Sequence, residues 1–268
     1  MARPWERLFI AAARLFAWCV VLTPFGIVAA LVAAALSGRQ EPDIVFFLGN
    51  LVVQLFATLF VAAAAAGMGA SIGIGSALFV RELISAKAGR AFVLSIRMLS
   101  AFPAVVLGWF GATVILPALS GRAALAVFVA AVTVVIIAVI PRAYLIAGRA
   151  LSALPQSVRE TAAAAGASPA RIAAHVTLPA VSRKLWGIYA DAFSRATGEA
   201  AAVTVVFFAA ARAGYPVALF TIPSAIMAHA RSVQLIDAGI AQSALVILAL
   251  AAVSKTIAAR RIGELRWV

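Results

Sequence analysis

Charge is scarce in this sequence, and acidic charge scarcer still. Charged residues fill 12% of 268 positions, with 9 Asp and Glu against 22 Lys and Arg. A water-soluble domain carries about a quarter charged residues, so this chain has too little polar surface to cover a soluble globule. The lone Cys19 excludes an internal disulfide, and the bulky Trp18 before it excludes a lipoprotein processing site. His175 and His229 are the only histidines, and no acidic cluster accompanies them, so no metal-ligand set is visible. There is no Gly-x-x-x-x-Gly-Lys-Ser/Thr phosphate loop. The glycines at 67–75 lie in an apolar run, outside the strand–turn–helix setting of a dinucleotide fingerprint, and read as helix packing. Without an activated Ser–His pair, a His cluster or a di-Asp motif, the chain reads as no enzyme.

What is abundant is apolar. Hydrophobic residues make up 65% of the chain, and mean hydropathy is +1.09. A spanning helix needs about 20 mostly apolar residues. Six candidates meet that requirement, roughly 9–36, 47–79, 98–119, 123–147, 184–211 and 236–258. The expected class is an all-α polytopic membrane protein of about six transmembrane helices. The first stretch is too long for the core of a signal peptide and is read as a retained helix. The second exceeds one perpendicular crossing, so it tilts or continues into the cytoplasm. Ala and Gly dominate "FVAAAAAGMGASIGIG" at 60–75, which lets backbones pack closely.

The basic excess is sided. Only Arg39, Arg122, Arg212 and Arg231 fall on the outer side and Arg195 falls within a span, while the other Lys and Arg lie at or near one face. This positive-inside pattern puts both termini in the cytoplasm and explains the charge without nucleic acid. It also fits contact with membrane lipid in a bacterial or archaeal plasma (inner) membrane. Three regions follow: 1–46, an N-terminal helix and outer loop; 47–258, a core of five spans; and 259–268, a cytoplasmic tail. Trp5, Trp186 and Trp267 suit interfacial anchoring, and Trp109 is expected to face a neighbouring helix.

The stretch 146–184 is too polar to span. Ser157 and Glu160 form a capping-box pattern, Ala162 to Ala165 favour helix, and Gly166 suits a left-handed stop. Ser168 then caps a second short helix with Pro169 in its first position, and that helix is expected to stop before Pro179. Two short helices with a sharp bend result.

These residues carry a resemblance. "ETAAAAGASPARIAAHVTLP" resembles the EAA loop of ABC-importer permeases, with Glu160, Ala162, Gly166, Leu178 and Pro179 at matching positions, Thr161 in place of an Ala and Val176 in place of an Ile. The resemblance implies the type I ABC importer permease fold, with 157–179 as the coupling helix that docks on an ATPase subunit. Within that group, "FPAVVLGWFGATVILP" at 102–117, "GIGSALFVRE" at 73–82 and "RATGEAAAV" at 195–203 are similar to segments of phosphate-uptake permeases of the PstC/PstA type. Pro103, Val106, Gly108, Phe110 and Gly111 match, whereas Ala104 and Leu107 replace the usual Ser and Tyr. The implied partners are a second permease subunit, identical or different, two ABC ATPase subunits and an extracytoplasmic phosphate-binding protein. No cofactor is expected on this chain; ATP and Mg belong to the ATPase.

Charges inside an apolar span cost on the order of 2.5–3.5 kcal/mol each on insertion scales, and they commonly line a water-filled path. Asp191, Arg195 and Glu199 are spaced four apart, so they share one helix face. Arg offers a planar donor fork suited to phosphate oxygens. The expectation is that Arg195 meets the oxyanion, while Glu199 and Asp191 hold its head and keep the site from trapping the anion. A buried ion network that only fixes packing is the alternative. Pro103, Gly108 and Gly111 are read either as a bend at a gate or as kinked packing. The expected function is half of an import pathway for inorganic phosphate. The alternatives are a permease for molybdate, tungstate or sulfate, an intramembrane enzyme, or a non-transporting sensor.

Overall fold

The structure is a computed structural model and describes residues 14, 18, 22–33, 36, 44–119, 123–215, 221 and 238–262. Cys19, His229, Trp5, Trp267, part of the first span and most of the long outer stretch lie outside the described residues. Among the described residues all regular structure is helical: α1 (Leu22–Ala33), α2 (Ile44–Glu82), α3 (Ala86–Ser100), α4 (Ala104–Ala118), α5 (Ala123–Ser152), α6 (Gln156–Ala164), α7 (Pro169–Ile172), α8 (Leu178–Thr197), α9 (Ala200–Arg212) and α10 (Ala238–Ile262).

Fewer uninterrupted spans form than the hydropathy predicts. Within the described residues, Val52–Glu82 and Leu125–Ser152 are long and apolar enough to cross alone. The predicted span 98–119 is instead an elbow, in which α3 and α4 meet at 94°. Its cause is local. Pro103 has no N–H and disfavours helix in Phe102, so α3 ends at Ser100 and Pro103 begins α4 in an extended conformation, φ −62° and ψ 139°. The predicted span 184–211 also breaks. Gly198 and Glu199 close α8 with tight bonds to the Arg195 and Ala196 carbonyls, and Glu199 leaves helical geometry at ψ 71° before α9.

Two prolines shape helices without breaking them. A proline ring crowds the carbonyl four residues back, and a widened π turn relieves that crowding. Gly111–Ile115 is such a turn ahead of Pro117, and Ala173–Thr177 is another ahead of Pro179. The second turn corrects the expectation that the loop helix stops before Pro179. The chain runs from α7 through the π turn into α8, with Pro179 in the first turn of α8.

The core is a seam of small residues between α2 and α5, closed by α8 and α9. Ala62, Ala65, Ala70, Ala130 and Ala131 are all 0% exposed. A methyl on Gly69 would sit 2.9 Å from Val139 Cγ1, and one on Gly73 would sit 2.7 Å from Ala143 Cβ. Only hydrogen fits at these two positions, which gives Gly69 and Gly73 their packing role, whereas Gly67 and Gly75 meet nothing within 4 Å. Gly108 and Gly111 serve the same purpose for α4: added methyls would lie 2.5 Å from the Ala202 carbonyl oxygen and from Val134 Cγ1. The bend in this region is at Pro103. Trp109 is 62% exposed rather than packed against a helix among the described residues.

Candidate functional site

The elbow between α3 and α4 roofs a cavity of about 200 Å³, lined by Ser100, Phe102, Ala104 and Leu107 from the elbow and by Ala138, Pro141, Arg142 and Leu145 from α5. Arg195 of α8 completes the lining. Pro141 lies inside α5 and leaves that helix short of a backbone donor. The Ala138 carbonyl of the same helix accepts the Arg195 Nε–H at 3.2 Å. That bond fixes the base of the guanidinium. Neither Arg195 Nη has a hydrogen-bond partner among the described residues, so the outer edge of the fork faces the cavity.

The carboxylates expected to hold Arg195 are arranged differently. Asp191 is buried and turned toward other cations: its Oδ2 accepts Arg142 Nε at 2.5 Å, and its Oδ1 accepts Arg142 Nη2 at 3.1 Å and Lys255 Nζ at 2.6 Å. Spacing put Asp191 on the face of Arg195, but a carboxylate binds the nearest donors, and those come from α5 and α10. Glu199 caps the start of α9 without a side-chain cap bond. Arg195 is the charge that acts on it, yet no ion pair joins Arg195 to Glu199 or Asp191 among the described residues. Arg142 and Lys255, read from the sequence as cytoplasmic-face charge, are the residues the spacing argument missed. The available signal was Arg142 directly after Pro141 in an apolar run.

The polar loop forms the bent pair that its sequence predicts. Gly166 adopts φ +83°, and the Ser168 hydroxyl accepts the Arg171 N–H at the start of α7. One detail differs: no capping box forms. The helix α6 starts behind Pro155 without a side-chain cap, and Glu160 instead accepts Gln156 Nε2 at 2.7 Å. No residue of α6 is buried, so much of the helix surface is available to another surface. Leu178 and Pro179 belong to the first turn of α8, and Ala162 is half-buried on α6.

A carboxylate at the end of α2 ties this loop to the membrane helices. The Glu82 side chain is 2% exposed; its Oε2 accepts Arg159 Nη2 at 2.6 Å and Nε at 3.1 Å, and its Oε1 accepts the Thr177 hydroxyl at 3.3 Å. Arg159 lies on α6 and Thr177 in the π turn before α8, so one side chain holds both legs of the loop. Among the described residues no group of His, Cys, Asp and Glu could hold a metal ion.

No family profile matches the sequence. A probable ABC transporter permease protein, YqgH of Bacillus subtilis (strain 168), is 28% identical over 168 residues, 60% of this chain and 50% of that protein. The chain thus matches about half the length of this curated relative. Two solved structures share the architecture. An inward-facing form of the MetNI methionine ABC transporter aligns at TM-score 0.66 and 16% identity, covering 84% of this chain and 99% of that one. A bacterial ABC transporter involved in alginate import aligns at TM-score 0.66 and 11% identity, covering 98% of each chain. The chain therefore has the fold of an ABC importer permease.

Proposed function

We propose that this chain is the membrane permease subunit of an ATP-driven importer and forms half of a pathway for a tetrahedral oxyanion, inorganic phosphate first among them. The observation that carries this reading is the Arg195 fork, fixed through Nε to a backbone carbonyl and open on its outer edge to a cavity that Arg142 also lines. A guanidinium held in this way matches the oxygen edge of such an anion. The exposed α6 and the Gly166 bend support a docking role for 157–179 against a separate ATPase, so ATP hydrolysis and its Mg lie outside this chain. A sister permease, two ATPase subunits and a substrate-binding protein outside the membrane complete the assembly.

The cavity wall favours a second anion class on one point. Ala104 and Leu107, which stand where phosphate permeases carry Ser and Tyr, both line the cavity. A wall poor in hydroxyls suits sulfate, molybdate or tungstate, which carry no proton at neutral pH, better than hydrogen phosphate. ATP-dependent phosphate uptake in proteoliposomes, with the other three anions as competitors, separates the two. Arg195→Gln in a correctly assembled complex is expected to abolish uptake. Wild-type uptake by that variant refutes the role of Arg195.

A further inference from the structure

Arg195 is not alone at the cavity, and its neighbour is held in an unusual way. The Arg142 side chain is 48% exposed, whereas the Asp191 side chain that binds it is 4% exposed. Asp191 has a second cation, Lys255, 2.6 Å from Oδ1. If Arg142 turns away, Asp191 keeps a partner and no bare carboxylate is left buried, which is the outcome that makes breaking most buried ion pairs costly. Arg142 uses Nε and Nη2 on Asp191, and its Nη1 has no bond among the described residues.

We propose that Arg142 is a second ligand of the transported anion, and that Asp191 is the counter-ion that holds it while the cavity is unloaded. The inference rests on the oxyanion reading above. An oxyanion offers a guanidinium the same two-oxygen edge as a carboxylate, so moving Arg142 from Asp191 to the anion exchanges like for like. Such an exchange is close to balanced and reverses readily, as a transport site requires. The local charges agree. Among the described residues, Arg142, Arg195 and Lys255 meet only Asp191 and Glu199, three cations against two carboxylates, which leaves room for an anion. Lys255 keeps a positive charge on Asp191 Oδ1 when Arg142 leaves, so a fixed ion network does not need the exposed arginine for charge balance.

The test uses the assembled complex in proteoliposomes, with radiolabelled inorganic phosphate as the probe and sulfate, molybdate and tungstate in parallel. Arg142→Gln is expected to assemble and to lose uptake by roughly tenfold or more, the size of a lost charge-assisted contact. Asp191→Asn is expected to lower both the half-saturating phosphate concentration and the maximal rate, because Arg142 then releases the anion slowly. The double variant Arg142→Gln/Asp191→Asn stays impaired, since the ligand is gone. Wild-type uptake by Arg142→Gln, or recovery in the double variant, overturns the inference and makes the pair structural. If Arg142→Gln fails to co-purify with its partners, Arg142→Lys decides: a raised half-saturating concentration supports the ligand role, and an unchanged one overturns it. Loss of uptake in Arg195→Gln beside full uptake in Arg142→Gln removes this inference alone. A wild-type complex that moves none of the four anions removes the oxyanion reading and this inference together.

Discussion

Glu82→Gln is the substitution that most directly tests how the polar loop is joined to the membrane helices. Gln keeps the volume and one acceptor but removes the charge. The loss falls on the two Arg159 bonds, at 2.6 and 3.1 Å, that converge on Oε2. Hydrogen bonds to a charged group contribute about 1.5–3 kcal/mol. The Arg159 side chain is 28% exposed, so water recovers part of the loss, and a value near 2 kcal/mol is appropriate. That corresponds to roughly a 30-fold shift toward loops detached from α2. Arg81 does not compensate: its Nε lies 3.5 Å from Glu82 Oε1 without a hydrogen bond, and its Nη1 is engaged with Ser152. The complex should still assemble and hydrolyse ATP, because α6 and its exposed surface are intact. Anion moved per ATP consumed should fall as the detached population grows, by up to roughly 30-fold. The assay is paired measurement of ATP hydrolysis and phosphate uptake in one proteoliposome preparation, with Glu82→Asp as the charge-retaining control. An unchanged ratio in an assembled Glu82→Gln complex would show that the Glu82 contacts do not carry force, and the reasoning fails.

Other consequences are equally measurable. Gly73→Ala places a methyl 2.7 Å from Ala143 Cβ and 2.8 Å from the Tyr144 backbone nitrogen, so it should destabilise the chain by about 1–3 kcal/mol and lower the melting temperature in detergent. Gly67→Ala meets nothing within 4 Å and should instead gain about 0.5–1 kcal/mol; equal melting temperatures would show that α2 and α5 do not pack by backbone approach. Gly166→Ala forces a side chain onto φ +83° at a cost of about 1–2 kcal/mol, and should reduce co-purification of the ATPase subunits. Unchanged recovery would mean the bent form of the loop is not what they bind.

The helical class, the bent loop and the small-residue seam were all legible in the sequence because each depends on local chemistry. Gly166, Ser168 and Pro169 act on their own backbone, and the run 60–75 has few ways to pack other than closely. The interruptions were harder to read. Hydropathy averages across Pro103 and Gly198, so an elbow and a break each looked like one continuous span. Partners across the fold were the least legible. Four-residue spacing aligned Asp191 with Arg195, but the donors that reach Asp191 are 49 and 64 residues away in sequence. Glu82 matched a family segment without any hint that Arg159 and Thr177 would converge on it.

The glycine contacts between α2 and α5 have a mechanical consequence. Helices whose main chains touch have no layer of side chains on which to slide, so this pair behaves as one stiff girder. On the proposed function, a rearrangement that opens the pathway first to one side and then to the other bends most easily where the chain already lacks helical bonds. Two such places are the corner at Phe102–Pro103 and the interruption at Gly198–Glu199, and Phe102 lines the same cavity as Arg142 and Arg195.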